Sequence, residues 1–140
     1  MYGRSEAVVG DLAHELNVQA ELFVATKVWT TGARAGIAQM EDSFRKLRVA
    51  RVDLMQVHNL LAWEKQLPLL QAMKAEGRVR YVGITTSEGR RHREIEEVMR
   101  GHRIDFVQLT YNPLDREAEQ RLLPLARDRD IAVLANRPFR

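Results

Sequence analysis

Five apolar segments rich in β-formers recur along this chain at almost constant spacing. They cover residues 22–28, 52–58, 79–85, 104–109 and 131–135, so their starts are separated by 30, 27, 25 and 27 residues. Between them the apolar residues fall at helical intervals. Ile37, Met40, Phe44 and Leu47 form one such face; Leu69, Leu70 and Met73 a second; Ile95, Val98 and Met99 a third; Leu122, Leu123, Leu125 and Ala126 a fourth. Ahead of the first segment, Ser5 is expected to cap a helix whose apolar face is Val8, Val9, Leu12 and Leu16. Pro68 is placed in the first turn of its helix, where its missing N–H does no harm, Gly77 just past that helix's end, and Pro124 inside the last helix. The order is helix, then strand and helix four times, then a strand. Strict alternation of this kind implies right-handed crossovers and a parallel sheet.

Two architectures suit that pattern, a doubly wound open sheet and a (β/α)8 barrel. A dinucleotide-binding open sheet should carry Gly-x-Gly-x-x-Gly after an early strand. The chain has none: Gly32-Ala33-Arg34-Ala35-Gly36 has the wrong spacing and reads as a loop and helix start, and there is no Walker motif. The expected fold is therefore α/β, an incomplete (β/α)8 TIM barrel of about five parallel strands, since a whole barrel takes about 250 residues and this chain has 140. No linker or shift of composition divides it, so residues 1–140 are expected to form a single partial barrel domain.

Composition narrows the function classes. At 45% hydrophobic and 29% charged the chain reads as globular. It lacks an apolar run of membrane-spanning length and a secretory leader pattern. With no cysteine it has no disulfide framework or thiolate chemistry, which fits a cytoplasmic protein. The net charge is +3, and the densest basic cluster, Arg90, Arg91, His92 and Arg93, has no interleaved aromatics. It reads as a solvated helix start, and no nucleic-acid or membrane partner is expected.

The chemistry is expected at the carboxyl ends of the strands, which in a barrel all face one mouth. The first strand brings Lys27, an ammonium inside an apolar run that loses hydration unless it is paired or neutralised. The second ends in His58, the third in Thr85 and Thr86, the fourth in Gln108 and Tyr111, and the last in Asn136.

At these residues the sequence resembles the aldo-keto reductase family. Tyr2-Gly3-Arg4-Ser5-Glu6 is similar to its Tyr-Gly-x-Ser-Glu element, and Val24-Ala25-Thr26-Lys27 to its lysine strand. Phe44-Arg45-Lys46-Leu47 through Asp53-Leu54-Met55-Gln56-Val57-His58 resembles its helix and histidine strand. Gly77-Arg78-Val79-Arg80-Tyr81-Val82-Gly83-Ile84 and Val107-Gln108-Leu109-Thr110-Tyr111-Asn112-Pro113-Leu114 follow in the family's order.

The resemblance implies an oxidoreductase that reduces aldehydes or ketones by hydride transfer from NADPH. It implies Tyr2 as general acid, Lys27 as the cation lowering its pKa, and His58 as the group orienting the substrate carbonyl. It implies cofactor-binding roles for Thr85, Thr86, Gln108 and Asn136. The chain departs from the family at three points. Thr85-Thr86 stands where Ser-Asn is common, Asn136 where a tyrosine stacks on the nicotinamide, and Arg48 where a glycine is usual. Trp29 reads as rim or packing, Trp63 as pocket wall or helix packing, and Asp53 as structural. The family's catalytic aspartate lies a few residues before its tyrosine, and the sequence starts at Met1. The expectation is thus a truncated product with little or no carbonyl reduction on its own. The rival expectations are a non-catalytic NADP(H)-binding partner subunit of the same fold and a remnant without function.

Overall fold

The computed structural model describes residues 3–87 and 91–139. Its elements run α1 (Ser5–Glu15), β1 (Ala25–Val28), α2 (Ala33–Leu47), β2 (Val52–Val57), α3 (Trp63–Ala75), β3 (Val79–Thr85), α4 (His92–Gly101), β4 (Phe106–Thr110), α5 (Ala118–Asp128) and β5 (Ala132–Asn136). The strands form one sheet in sequence order, β1-β2-β3-β4-β5, and every neighbouring pair is parallel. The sheet does not close: β1 and β5 each have one neighbour. This is the expected part of a barrel.

Side chains alternate between the two faces of each strand. Met55 and Val57 of β2, Val82 and Ile84 of β3, and Val107 and Leu109 of β4 are fully buried and form one cluster with helical residues such as Met40, Leu70, Ile95 and Val98. The other face carries Phe23, Tyr81 and Phe106 towards the strand starts, where the rings pack at centroid distances of 5.4 to 6.3 Å. Towards the strand ends the same face carries Lys27, Thr85, Gln108 and Asn136.

Two aspartates fasten the strand starts. Asp53 Oδ2 accepts the Val24 N–H at 2.9 Å, and Asp105 Oδ2 accepts the Val82 N–H at 2.8 Å. Asp53 therefore sits at the opposite end of β2 from His58, as a structural residue should. Lys74 donates to both oxygens of Asp105, at 2.7 and 2.6 Å.

The helix starts and faces differ from expectation. Ser5 is the first residue of α1 and Arg4 its cap, with no side-chain cap hydrogen bond. Val8, Val9, Leu12 and Leu16 are exposed, and α1 instead buries Gly10 and Ala13. The reason is close approach: a Cβ on Gly10 would lie 2.1 Å from the Lys46 carbonyl oxygen, so α1 meets α2 through its smallest residues. Pro68 lies well inside α3 rather than in its first turn, because the helix starts at Trp63, five residues earlier. Gly77 does follow the end of α3, with φ +75°. Arg48, in the usual place of a glycine, caps α2 in the left-handed conformation, φ 55°. Among the described residues no helix is long and apolar enough to cross a membrane.

Candidate active site

Parallel pairing carries the polar residues to one end of the sheet. Lys27 lies opposite Gln56, Thr85 opposite Gln108, and Thr110 opposite Asn136. A cavity of about 220 Å³ opens there, lined by Lys27, His58, Asn59, Thr85, Thr86, Ser87, Gln108, Asn136 and Arg137. Six of the seven residues expected at the site thus line one space. The seventh, Tyr2, lies outside the described residues.

Lys27 is half-buried on β1, and loss of hydration pulls its pKa below the usual lysine value. His58 also has a lowered pKa, first through burial and second through the charge of Lys27. Both effects favour a neutral imidazole at neutral pH. Its Nδ1 lies 3.3 Å from the Thr85 hydroxyl, which accepts the Asn59 N–H at 3.2 Å. The hydroxyl can accept twice, so it donates to Nδ1 only in the tautomer whose Nδ1 is bare. In that tautomer the neutral ring carries its own proton on Nε2, a donor. Trp29 stands edge-on to the imidazole, ring centroids 6.0 Å apart, and is half-exposed at the rim. Trp63 turns away from this site: it packs edge-on to His102 and donates to Glu94 at 3.1 Å.

On the other wall three residues are laced together. Gln108 Nε2 donates to Asn136 Oδ1 at 2.5 Å, Asn136 Nδ2 donates to the Thr86 carbonyl at 3.0 Å, and the Thr86 N–H donates to the Gln108 carbonyl at 2.9 Å. Tyr111, also at the end of β4, faces elsewhere, its hydroxyl donating to Glu119.

Two lining residues carry buried polar atoms with no partner, Thr86 Oγ1 and Asn59 Oδ1. Buried polar groups without partners are uncommon and point to a missing ligand or water. A nicotinamide carboxamide, with donors and an acceptor of its own, fits that demand. Asn59 was not among the expected site residues. Its signal is its place directly after His58 at a strand end, with φ 50°, a conformation asparagine tolerates. Arg91 reaches back from the start of α4 to hydrogen-bond the Asn59 carbonyl.

The model of the Aldo/keto reductase family matches residues 1–140. This chain belongs to that family. It is 28% identical to the aldo-keto reductase YhdN of Bacillus subtilis (strain 168), over 95% of this chain and 43% of that protein. It is 26% identical to the methylglyoxal reductase YeaE of Escherichia coli (strain K12), over 98% of this chain and 49% of the relative. Among solved structures, the holo form of the aldo-keto reductase AKR11C1 from Bacillus halodurans superposes with a TM-score of 0.78 at 26% identity, covering 91% of this chain and 44% of that one. An aldo/keto reductase from Klebsiella pneumoniae, solved with NADP and acetate, shares the fold at 21% identity and a TM-score of 0.77, over 94% of this chain and 47% of that one. The chain spans about half the length of the relatives it matches. The open five-stranded sheet is the matching portion of the barrel of these relatives.

Proposed function

We propose that this chain carries the carbonyl-reducing centre of an aldo/keto reductase that uses NADPH to convert aldehydes or ketones to alcohols. The observation that carries the reading is the meeting of Lys27 and His58 with Thr85, Thr86, Gln108 and Asn136 around one cavity at the strand ends. NADPH supplies the hydride. Thr86, Gln108 and Asn136 hold the nicotinamide end, where the unpartnered Thr86 hydroxyl meets the carboxamide. His58 Nε2–H donates to the substrate carbonyl oxygen and sets its direction. Tyr2 is the general acid for the alcohol. A phenol at its ordinary pKa near 10 is a poor acid at neutral pH; a lysine cation beside it favours the phenolate, and that is the role of Lys27 in this reading. Charge building on the substrate oxygen is thereby met by donors already in place.

Methylglyoxal is the first substrate to try, because it stands in the names of two relatives, one of them an NADH-specific enzyme. Single-turnover mixing, with protein in excess over NADPH, detects hydride transfer even when it is slow. The expected result is saturable NADPH binding and oxidation of the bound nucleotide by methylglyoxal, lowered about a hundredfold in Lys27→Met. Binding with no hydride transfer would favour a non-catalytic NADP(H)-binding partner. Absence of binding would overturn the reading.

A further inference from the structure

The lacing of Gln108, Asn136 and Thr86 has a direction that the atoms themselves dictate. The Thr86 backbone carbonyl can only accept, so Asn136 must present Nδ2 to it, as it does at 3.0 Å. That leaves Asn136 Oδ1, an acceptor, facing Gln108. Gln108 must answer with Nε2, at 2.5 Å. With Nε2 tied to Asn136 by one of its two hydrogens, Gln108, which lines the cavity, keeps Oε1 as an acceptor whose side of the amide is fixed. An unconstrained glutamine turns its amide either way; this one is set by a backbone carbonyl two residues removed through hydrogen bonds.

We propose that Asn136 is a positioning residue that locks Gln108 with its carbonyl oxygen toward the ligand, so that the site selects a ring bearing a primary carboxamide. The inference rests on the NADPH reading above and deepens it. Gln108 Oε1 takes a carboxamide N–H, and the buried, unpartnered Thr86 hydroxyl gives its proton to the carboxamide carbonyl. Donor and acceptor on the wall then match acceptor and donor on the ligand. The fixed amide stands where an aromatic ring would otherwise lie, so recognition at this position works through hydrogen-bond polarity.

The probe is the 3-acetylpyridine analogue of NADP, which keeps the carbonyl and lacks the N–H. The chain should bind NADP about tenfold more tightly than the analogue, the value of one hydrogen bond that the site insists on. In Asn136→Ala the Gln108 amide is free to turn and offer Nε2 to the acetyl carbonyl, so the preference should shrink to about twofold. In Asn136→Asp the carboxylate still accepts from Gln108 Nε2, and the preference should be retained even if both ligands bind more weakly. The ratio is insensitive to a general loss of affinity or of folded protein, which a purely structural role would produce. An unchanged ratio in Asn136→Ala, with dinucleotide still bound, overturns this assignment alone. Failure of the unaltered chain to bind NADP overturns the cofactor reading and this one with it.

Discussion

Lys27 holds an ammonium on a half-buried strand position, where burial lowers its pKa. Lowering a lysine's pKa in the folded state means that folding disfavours its charge. Replacement by methionine, similar in length and uncharged, should therefore raise the thermal midpoint while lowering hydride transfer about a hundredfold, the trade expected under the proposed role of Lys27. Melting curves of Lys27→Met beside the parent chain check the first half. His58 gives a second test. Its folded pKa lies below its unfolded value near 6.5, so the unfolded chain binds more protons once pH falls past that value. Stability should be full at pH 7 and above, decline as pH drops through 6.5, and stop declining on this account below the folded pKa. His58→Gln should flatten that part of the profile in denaturant titrations between pH 5 and 8. Lys27 and His58 stand out in the bare sequence because each interrupts an apolar run. The part played by Asn136 does not stand out, since its partners Thr86 and Gln108 lie 50 and 28 residues away and meet it only across the assembled sheet.

The strand–helix units were legible because each strand is a compact apolar run with an abrupt polar end. The five expected strands appear in the expected order, with starts displaced by up to a few residues at β1, β4 and β5. The face of α1 was not legible. Its large apolar residues obey helical spacing, yet its packing follows Gly10, whose missing side chain admits the backbone of α2. Gly10→Ala should force the helices apart and cost about 2 kcal/mol, in the range of overpacked contacts, read as a shift in the urea midpoint. Glu6 fastens the same helix by hydrogen bonds. One carboxylate oxygen accepts the Thr26 hydroxyl at 2.6 Å and the Ser43 hydroxyl at 2.9 Å, tying α1 to β1 and α2 together. Ser43 is buried, so Glu6→Ala strands a hydroxyl without its acceptor and should cost about 2 kcal/mol. Glu6→Gln retains an acceptor oxygen and should lose less than half of that. The pair of variants separates the hydrogen bonds from simple loss of bulk.

At the scale of the molecule the open sheet is the dominant fact. β1 and β5 each offer an unpaired edge, and Val133 and Leu134 on β5 are more than a third exposed. An exposed apolar strand edge is a template for further pairing. The edges here are of two kinds, so β5 of one copy can take β1 of the next in the same parallel sense, a head-to-tail contact that need not close. Mass by sedimentation should therefore rise with protein concentration. The hydrogen bonds of β5 say how to stop it. Ala132 donates to Asp105, and Asn136 accepts from Tyr111, so the even-numbered residues of β5 pair inward with β4. Ala135 then points its N–H outward. Proline at that position removes an outward donor and leaves the inward ladder whole, as edge strands tolerate. Ala135→Pro should keep the thermal midpoint within a few degrees and hold the mass at or near that of a dimer at every concentration, because β1 edges alone can only cap one another. A variant that assembles as far as the parent would show that the β5 edge is not the surface through which the chains add.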